Sequence, residues 1–221
     1  MTLYKIQVNK AQIKIISKAL DVLKSISKGE ISRASSVISE NKITQVKCTG
    51  ELEEIFDQRI RQLKLSLIDI ENIYFSKYLT ILKLGEFGLK LLHIKKKLID
   101  SGFILNKNNR EYLDINLSDN DLDIISLACD LYWNLQCGNL EFIVEVLYNI
   151  NDSYGNMLIE LKNITELATG FATSAKHEIE SNAINRKSKW CYDISKKISF
   201  VRNMEPYKTV GTLPQLKLKK L

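Results

Sequence analysis

The chain has 221 residues, 45% hydrophobic and 26% charged, with a formal net charge of +6, 9 glycines and 2 prolines. That composition excludes a disordered, collagen-like or linker-like polypeptide and fits one large domain or two of about 100 residues. Both prolines, Pro206 and Pro214, lie near the C-terminus, so the long proline-free body reads as mostly helical.

The opening segment from Met1 has no apolar run of signal-peptide length, and the most apolar region, Ile81 to Ile99, is broken by Lys83, Glu86, Lys90, His93 and Lys95 to Lys97. No membrane span is expected, and the expected location is cytoplasmic. Tyr4, Ile6 and Val8 alternate with polar residues, the pattern of a short half-buried strand. Asn9 and Gln12 then predict a capping box, with Val8 and Ile13 as its hydrophobic staple. Ile13, Ile16, Leu20 and Leu23 form an apolar helical stripe, and Gly29 stands where a left-handed glycine would end the helix. A shorter helix is predicted over Glu30–Ser39. Residues 51–98 read as long Leu- and Ile-rich helices, with candidate interruptions near Asn72 or at Gly85 and Gly88.

The same signals return 109 residues later. Ile15, Ile16, Ser17, Ala19 and Asp21 match Ile124, Ile125, Ser126, Ala128 and Asp130; Gly29 matches Gly138, and Val37-Ile38 matches Val146-Leu147. Leu113, Ile115 and Leu117 repeat the strand alternation, and Ser118, Asp121, Leu117 and Leu122 repeat the cap and staple. A second short helix is predicted over Leu140–Tyr148, then helices over residues 156–178 and 187–203 with a break around Ser181-Asn182. Segments following Gly102 and Gly211 read as strands pairing with the strand that opens a repeat. The expected fold is mainly α (α+β), a tandem-duplicated helical module with short strands at the N-terminus, mid-chain and C-terminus. The division is residues 1–109, a first helical repeat, and 110–221, a second with an extended basic tail. One fused pseudo-twofold domain is the other form of the same reading.

The stretch from Ala128 through Asp130, Leu131, Tyr132 and Trp133 to Gly138 and Phe142, together with Asn182-Ala183 and the run Trp190 to Ile194, resembles small uncharacterised bacteriophage proteins. Those carry an Ala-Leu-Asp-Leu-Tyr helix, a following Gly-Gln-Phe, and a later Ala-Tyr-Asp-Ile helix. Gly138-Asn139-Leu140 departs from that pattern, as does the presence of two copies. The resemblance implies phage origin and an α-rich fold, and it supplies no activity.

Charge is segregated: residues 1–110 carry +9, residues 111–185 carry −11 and residues 186–221 carry +8. The acidic middle is expected to meet the basic flanks, within a molecule or between copies, unlike the continuous basic face of a duplex-DNA binder. Cys48, Cys129, Cys137 and Cys191 read as small buried hydrophobes rather than a disulfide framework or metal site. His93 and His177 lack a metal-ligand partner at helical spacing. Gly85-Glu86-Phe87-Gly88 lacks the basic residues of a phosphate-gripping loop.

No catalytic residue, metal ligand or cofactor is therefore expected. The repeated Asp21 and Asp130 read as helix-face carboxylates, able to form a paired site only if the fold brings them together. The aromatics give the better binding clue: Tyr132, Trp133 and Tyr192, with Asp130, Lys189 and Arg202, are the candidate ligand-binding residues, since rings beside cations suit nucleobases and phosphates. Core packing is the competing reading for Trp190, whereas Trp133 falls off the apolar face of its helix. The leading expectation is a non-enzymatic interaction protein acting on a host macromolecule, its partner a host protein or a second copy. Binding of an anionic nucleotide, and nucleic-acid binding through the C-terminal basic segment, are the alternatives.

Overall fold

The computed structural model describes residues 2–41, 50–75, 81–100, 104–105, 111–148, 155–169, 179, 184–203, 209–210 and 217–221. Strand β1 (Leu3–Asn9) leads into α1 (Lys10–Ser27), α2 (Arg33–Ile38) and a 3-10 turn (Ser39–Asn41). Two long helices follow, α3 (Gly50–Tyr74) and α4 (Ile81–Asp100), then β2 (Ile104–Leu105). The second half runs β3 (Glu111–Ser118), α5 (Asp119–Gln136), α6 (Phe142–Tyr148), α7 (Gly155–Asn163), α8 (Thr165–Thr169), α9 (Arg186–Asn203) and β4 (Lys217–Lys220). The fold is mainly helical, with one small antiparallel sheet of order β2-β3-β1-β4.

Both strand-to-helix junctions close as the sequence predicts. Asn9 Oδ1 accepts from the Gln12 N–H at 2.9 Å while Gln12 Oε1 accepts from the Asn9 N–H at 2.7 Å. Ser118 and Asp121 make the same reciprocal pair at 3.2 and 3.0 Å. Each such cap is worth about 1 kcal/mol. The helix ends match too. Gly29 and Gly138 have φ of 85° and 80°, and each helix finishes with the same two bonds: Glu30 N–H to Ser25 C=O and Gly29 N–H to Ile26 C=O, then Asn139 N–H to Asn134 C=O and Gly138 N–H to Leu135 C=O. That is the glycine-terminated motif which satisfies two otherwise orphaned carbonyls.

The β1–β3 ladder pairs Ile6 with Ile115, Tyr4 with Leu117 and Val8 with Leu113. A shift of 109 residues carries Ile6 onto Ile115, so the ladder maps onto itself about that central pair. β2 pairs with β3, which opens the second half, and β4 pairs with β1, which opens the first. The sheet order therefore reads the same when the halves are exchanged.

Tyr4, Ile6, Val8, Ile115 and Leu117 are buried under the helices, whereas the alternate residues Lys5 and Asn116 are exposed, as a sheet covered on one face requires. α1 and α5 pack together behind the central strands, α4 packs on α1, and α9 packs on α5. Three predictions of element boundaries need correction. Of the two candidate interruptions, the one near Asn72 matches the end of α3 at Tyr74, whereas the backbone of α4 passes through both Gly85 and Gly88 without a break, because its buried Leu91, Ile94 and Leu98 supply packing that outweighs the glycine propensity cost of about 1 kcal/mol each. The short helices begin later than expected, at Arg33 and Phe142, after the turns that the two glycines introduce. The predicted helix over 156–178 is divided at Ile164 into α7 and α8. The expected break at Ser181-Asn182 lies outside the described residues.

Four of the ion pairs join the basic flanks to the acidic middle: Lys5–Asp114 and Lys97–Asp121, both at 2.8 Å, and Arg202 with Asp119 and with Asp123. Burial opposes ionisation of Asp121, but Lys97 and the Ser118 N–H outweigh it and hold the carboxyl below its usual range. Asp114 is held low in the same direction: burial opposes its charge, and bonds from Lys5 and Gln7 prevail. A depressed carboxyl pKa contributes stability above the unfolded-state value of about 4, and that contribution is lost as pH falls through the folded-state value. Urea melts of wild type should therefore weaken below about pH 4. Asp121→Asn should lose about 1–2 kcal/mol at pH 7 and show a flatter acid limb; parallel acid limbs for the two proteins would refute the assignment.

Candidate functional site

The candidate residues lie along the antiparallel contact of α5 and α9. Its rungs, in order, are Asp123 with Arg202, Ser126 and Asp130 with Ser195, Trp133 with Tyr192, and Gln136 with Asn185. Asp130 Oδ1 accepts from Ser195 Oγ at 2.5 Å and from Trp133 Nε1 at 2.8 Å. The Trp133 ring meets Tyr192 edge-on, with centroids 5.4 Å apart and planes at 82°, a favoured quadrupolar arrangement. Both rings cover a small apolar cluster of Cys137, Ile179 and Ile184. Lys196 Nζ stands 5.7 Å above the Tyr192 ring. Lys189, half-buried, stands on α9 one turn before Tyr192.

Arg202 and Tyr132 stand apart from this cluster. Arg202 is ten residues beyond Tyr192 on the same helix, about 15 Å along the axis, where it holds Asp123 and Asp119 at the start of α5. Asp123 and its bonds keep the guanidinium firmly charged. Tyr132 is only 1% exposed; its hydroxyl donates to Glu40 Oε2 at 2.8 Å, the same oxygen that pairs with Lys18. Burial, reinforced by the Glu40 charge, drives the phenol pKa far up, so the ring acts as a neutral tie between α5 and the 3-10 turn. Asp21 and Asp130 each turn to the long helix that ends their own half. Asp21 takes Lys95 at 2.7 Å on α4, whereas Asp130 takes Ser195 on α9.

Cys129, Cys137 and Cys191 are buried thiols. Cys191 on α9 and Cys129 on α5 are neighbouring free thiols, and the Cys191 pKa is raised by burial first and by that neighbour second. His93 is exposed on α4, while Cys48 and His177 lie outside the described residues. Among the described residues no group of three His, Cys, Asp or Glu side chains is arranged to hold a metal ion, and no helix is long and apolar enough to cross a membrane. What the α5–α9 ladder does chemically is lock two helices: its acid, hydroxyls and indole N–H satisfy one another.

A second site emerges only from the pairing of strands. Antiparallel partners share a face, so Lys5 with Lys219 and Gln7 with Lys217 stand together on the face of the sheet opposite buried Tyr4, Ile6 and Val8. With Asp114, Leu218 and Lys197 they line a cleft of about 370 Å³ beside β4. The Lys217-Leu218-Lys219 alternation is the sequence signal for it, readable as a site once β4 is known to pair with β1.

No protein-family model, no curated protein and no solved structure matches the chain.

Proposed function

We propose that this chain is a non-enzymatic interaction protein whose partner is another protein, docked on the outer surfaces of its helices. The supporting observation is the apolar side chains left on the outside of α3 and its neighbour α7. Ile55, Leu65 and Ile73 on α3 are 59%, 62% and 63% exposed, and Ile159 on α7 is 60% exposed. Tyr74 Oη donates to Glu160 Oε1 at 2.9 Å, which brings the segments carrying Ile73 and Ile159 together. Exposed apolar side chains on neighbouring segments, as at Ile73 and Ile159, suit a docking site better than single scattered ones. The resemblance to phage proteins supports a host protein as the partner. The equivalent caps, helix ends and self-complementary ladder support reading the halves as fused copies of one ancestral unit.

The test is affinity isolation from the native host, followed by reconstitution of the complex with the purified partner. Ile73→Asp combined with Ile159→Asp should weaken that complex by about tenfold or more, as loss of central apolar anchors does. Thermal stability should change by no more than about 0.5 kcal/mol, because exposed positions contribute little to folding. Unaltered affinity in the double variant would rule the surface out.

A further inference from the structure

We propose that the exposed face of β1 and β4 binds the phosphodiester backbone of single-stranded nucleic acid. This inference stands on a different surface from the protein-partner reading and does not depend on it. Among the described residues, four lysines, Lys5, Lys197, Lys217 and Lys219, line one open cleft with a single carboxylate, Asp114. Asp114 is bonded by Lys5 at 2.8 Å and by Gln7 at 3.1 Å, so it orders one lysine and leaves the cleft with a surplus of positive charge. Lys217 and Lys219 are exposed and two residues apart on one strand, about 6.8 Å, a spacing that suits successive phosphates of an extended strand.

Lysines on an edge strand have a simpler use, which is to block pairing with another sheet. That use accounts for Lys217 and Lys219 but not for the other two. Lys5 belongs to an interior strand, paired on both sides by β3 and β4. Lys197 reaches the cleft from α9 in the helical layer and holds its ammonium 5.1 Å from the Phe200 ring. Convergence of three separate elements on one cleft is what an anion site requires. The described residues lining the cleft include no aromatic ring to stack a base, so recognition falls on phosphate and is indifferent to sequence.

The experiment is fluorescence anisotropy of the full chain with a labelled mixed-sequence oligonucleotide, single-stranded and duplex, at 50 and 200 mM salt. Single strands should bind more tightly, and their affinity should fall about 20- to 50-fold between the two salts if three or four phosphates are neutralised. Lys217→Glu with Lys219→Glu should cost about tenfold or more at fixed salt, while Lys90→Glu on the exposed side of α4 should leave binding unchanged. Circular dichroism checks that each variant folds, and Lys5→Gln offers a milder second test should the double variant not. Absence of binding at 50 mM salt, an equal loss in Lys90→Glu, or capture by anionic lipid vesicles in place of nucleic acid would each overturn the proposal.

Discussion

Residues 1–109 produced without the rest of the chain are expected to yield no folded monomer. The reason lies in the strand order. β1 has β3 on one side and β4 on the other, both from the second half, and β2 pairs with β3. Cutting between the halves removes both strands that pair with β1 among the described residues, and it exposes Ile6 and Val8, which are fully buried in the intact chain. The helical layer loses as much. α1 packs on α5 as well as on α4, so the face holding Ile16, Ala19 and Leu23, all fully buried, is left partly uncovered. Exposing several such side chains costs about 1.5–3 kcal/mol each, together comparable to the 5–15 kcal/mol that holds an ordinary domain together. Circular dichroism melts with light scattering provide the measurement. A monomeric fragment with a cooperative transition would show that the first half is autonomous, and the account of an interleaved sheet would fail. Supplying residues 110–221 in trans should restore the transition, because all three ladders then re-form.

The second large effect is expected at the glycines that end α1 and α5. Gly29 and Gly138 adopt left-handed backbone angles of 85° and 80°, which cost an L-residue about 1–2 kcal/mol. Space adds to the penalty. A Cβ at Gly29 would meet the Phe75 ring at 2.6 Å, and one at Gly138 would collide with the Thr169 methyl. Phe75, just after α3, packs half-buried against the core and Thr169 is buried at the end of α8, so making room displaces packed side chains, and overpacking of this kind costs about 1–3 kcal/mol. Gly29→Ala and Gly138→Ala should each lose about 2–4 kcal/mol in urea unfolding. The comparison that decides is Gly138→Asn, since asparagine tolerates the left-handed region better than alanine. If strain contributes, asparagine should recover part of the loss despite its greater bulk. If asparagine is simply worse in proportion to size, the packing clash is the whole effect and the conformational argument is wrong.

These two expectations also mark where local sequence information stops. The caps at Asn9 and Ser118, the stripes of α1 and α5 and the terminating glycines were all legible, because each depends on residues within a few positions of one another. The helix α4 was less so: Gly85 and Gly88 signal a break locally, and burial of Leu91, Ile94 and Leu98 further along outweighs them. The candidate binding set divides for the same reason. Trp133 and Tyr192 do meet, as do Asp130 and Trp133, but Arg202 shares the helix of Tyr192 at a distance that places it with Asp119 and Asp123 instead. Helical periodicity assigns each of these residues a face; it does not say which neighbouring helix that face will find, or in what register.

The amino-acid sequence by itself determined a mainly helical chain built on a motif of strand, capped helix, glycine stop and short helix, stated once near the N-terminus and again 109 residues later. These are short-range matters of hydrogen bonding, backbone conformation and apolar period. Only the tertiary structure decided that β1 and β3 lie side by side in a self-complementary register, that the closing strand of each half is donated to the opening strand of the other, and that four distant lysines consequently border one cleft. The pairings of β1 join residues more than a hundred positions apart, and what selects them is the need to bury the apolar faces of both sheet and helices together, a condition that no local window of sequence contains.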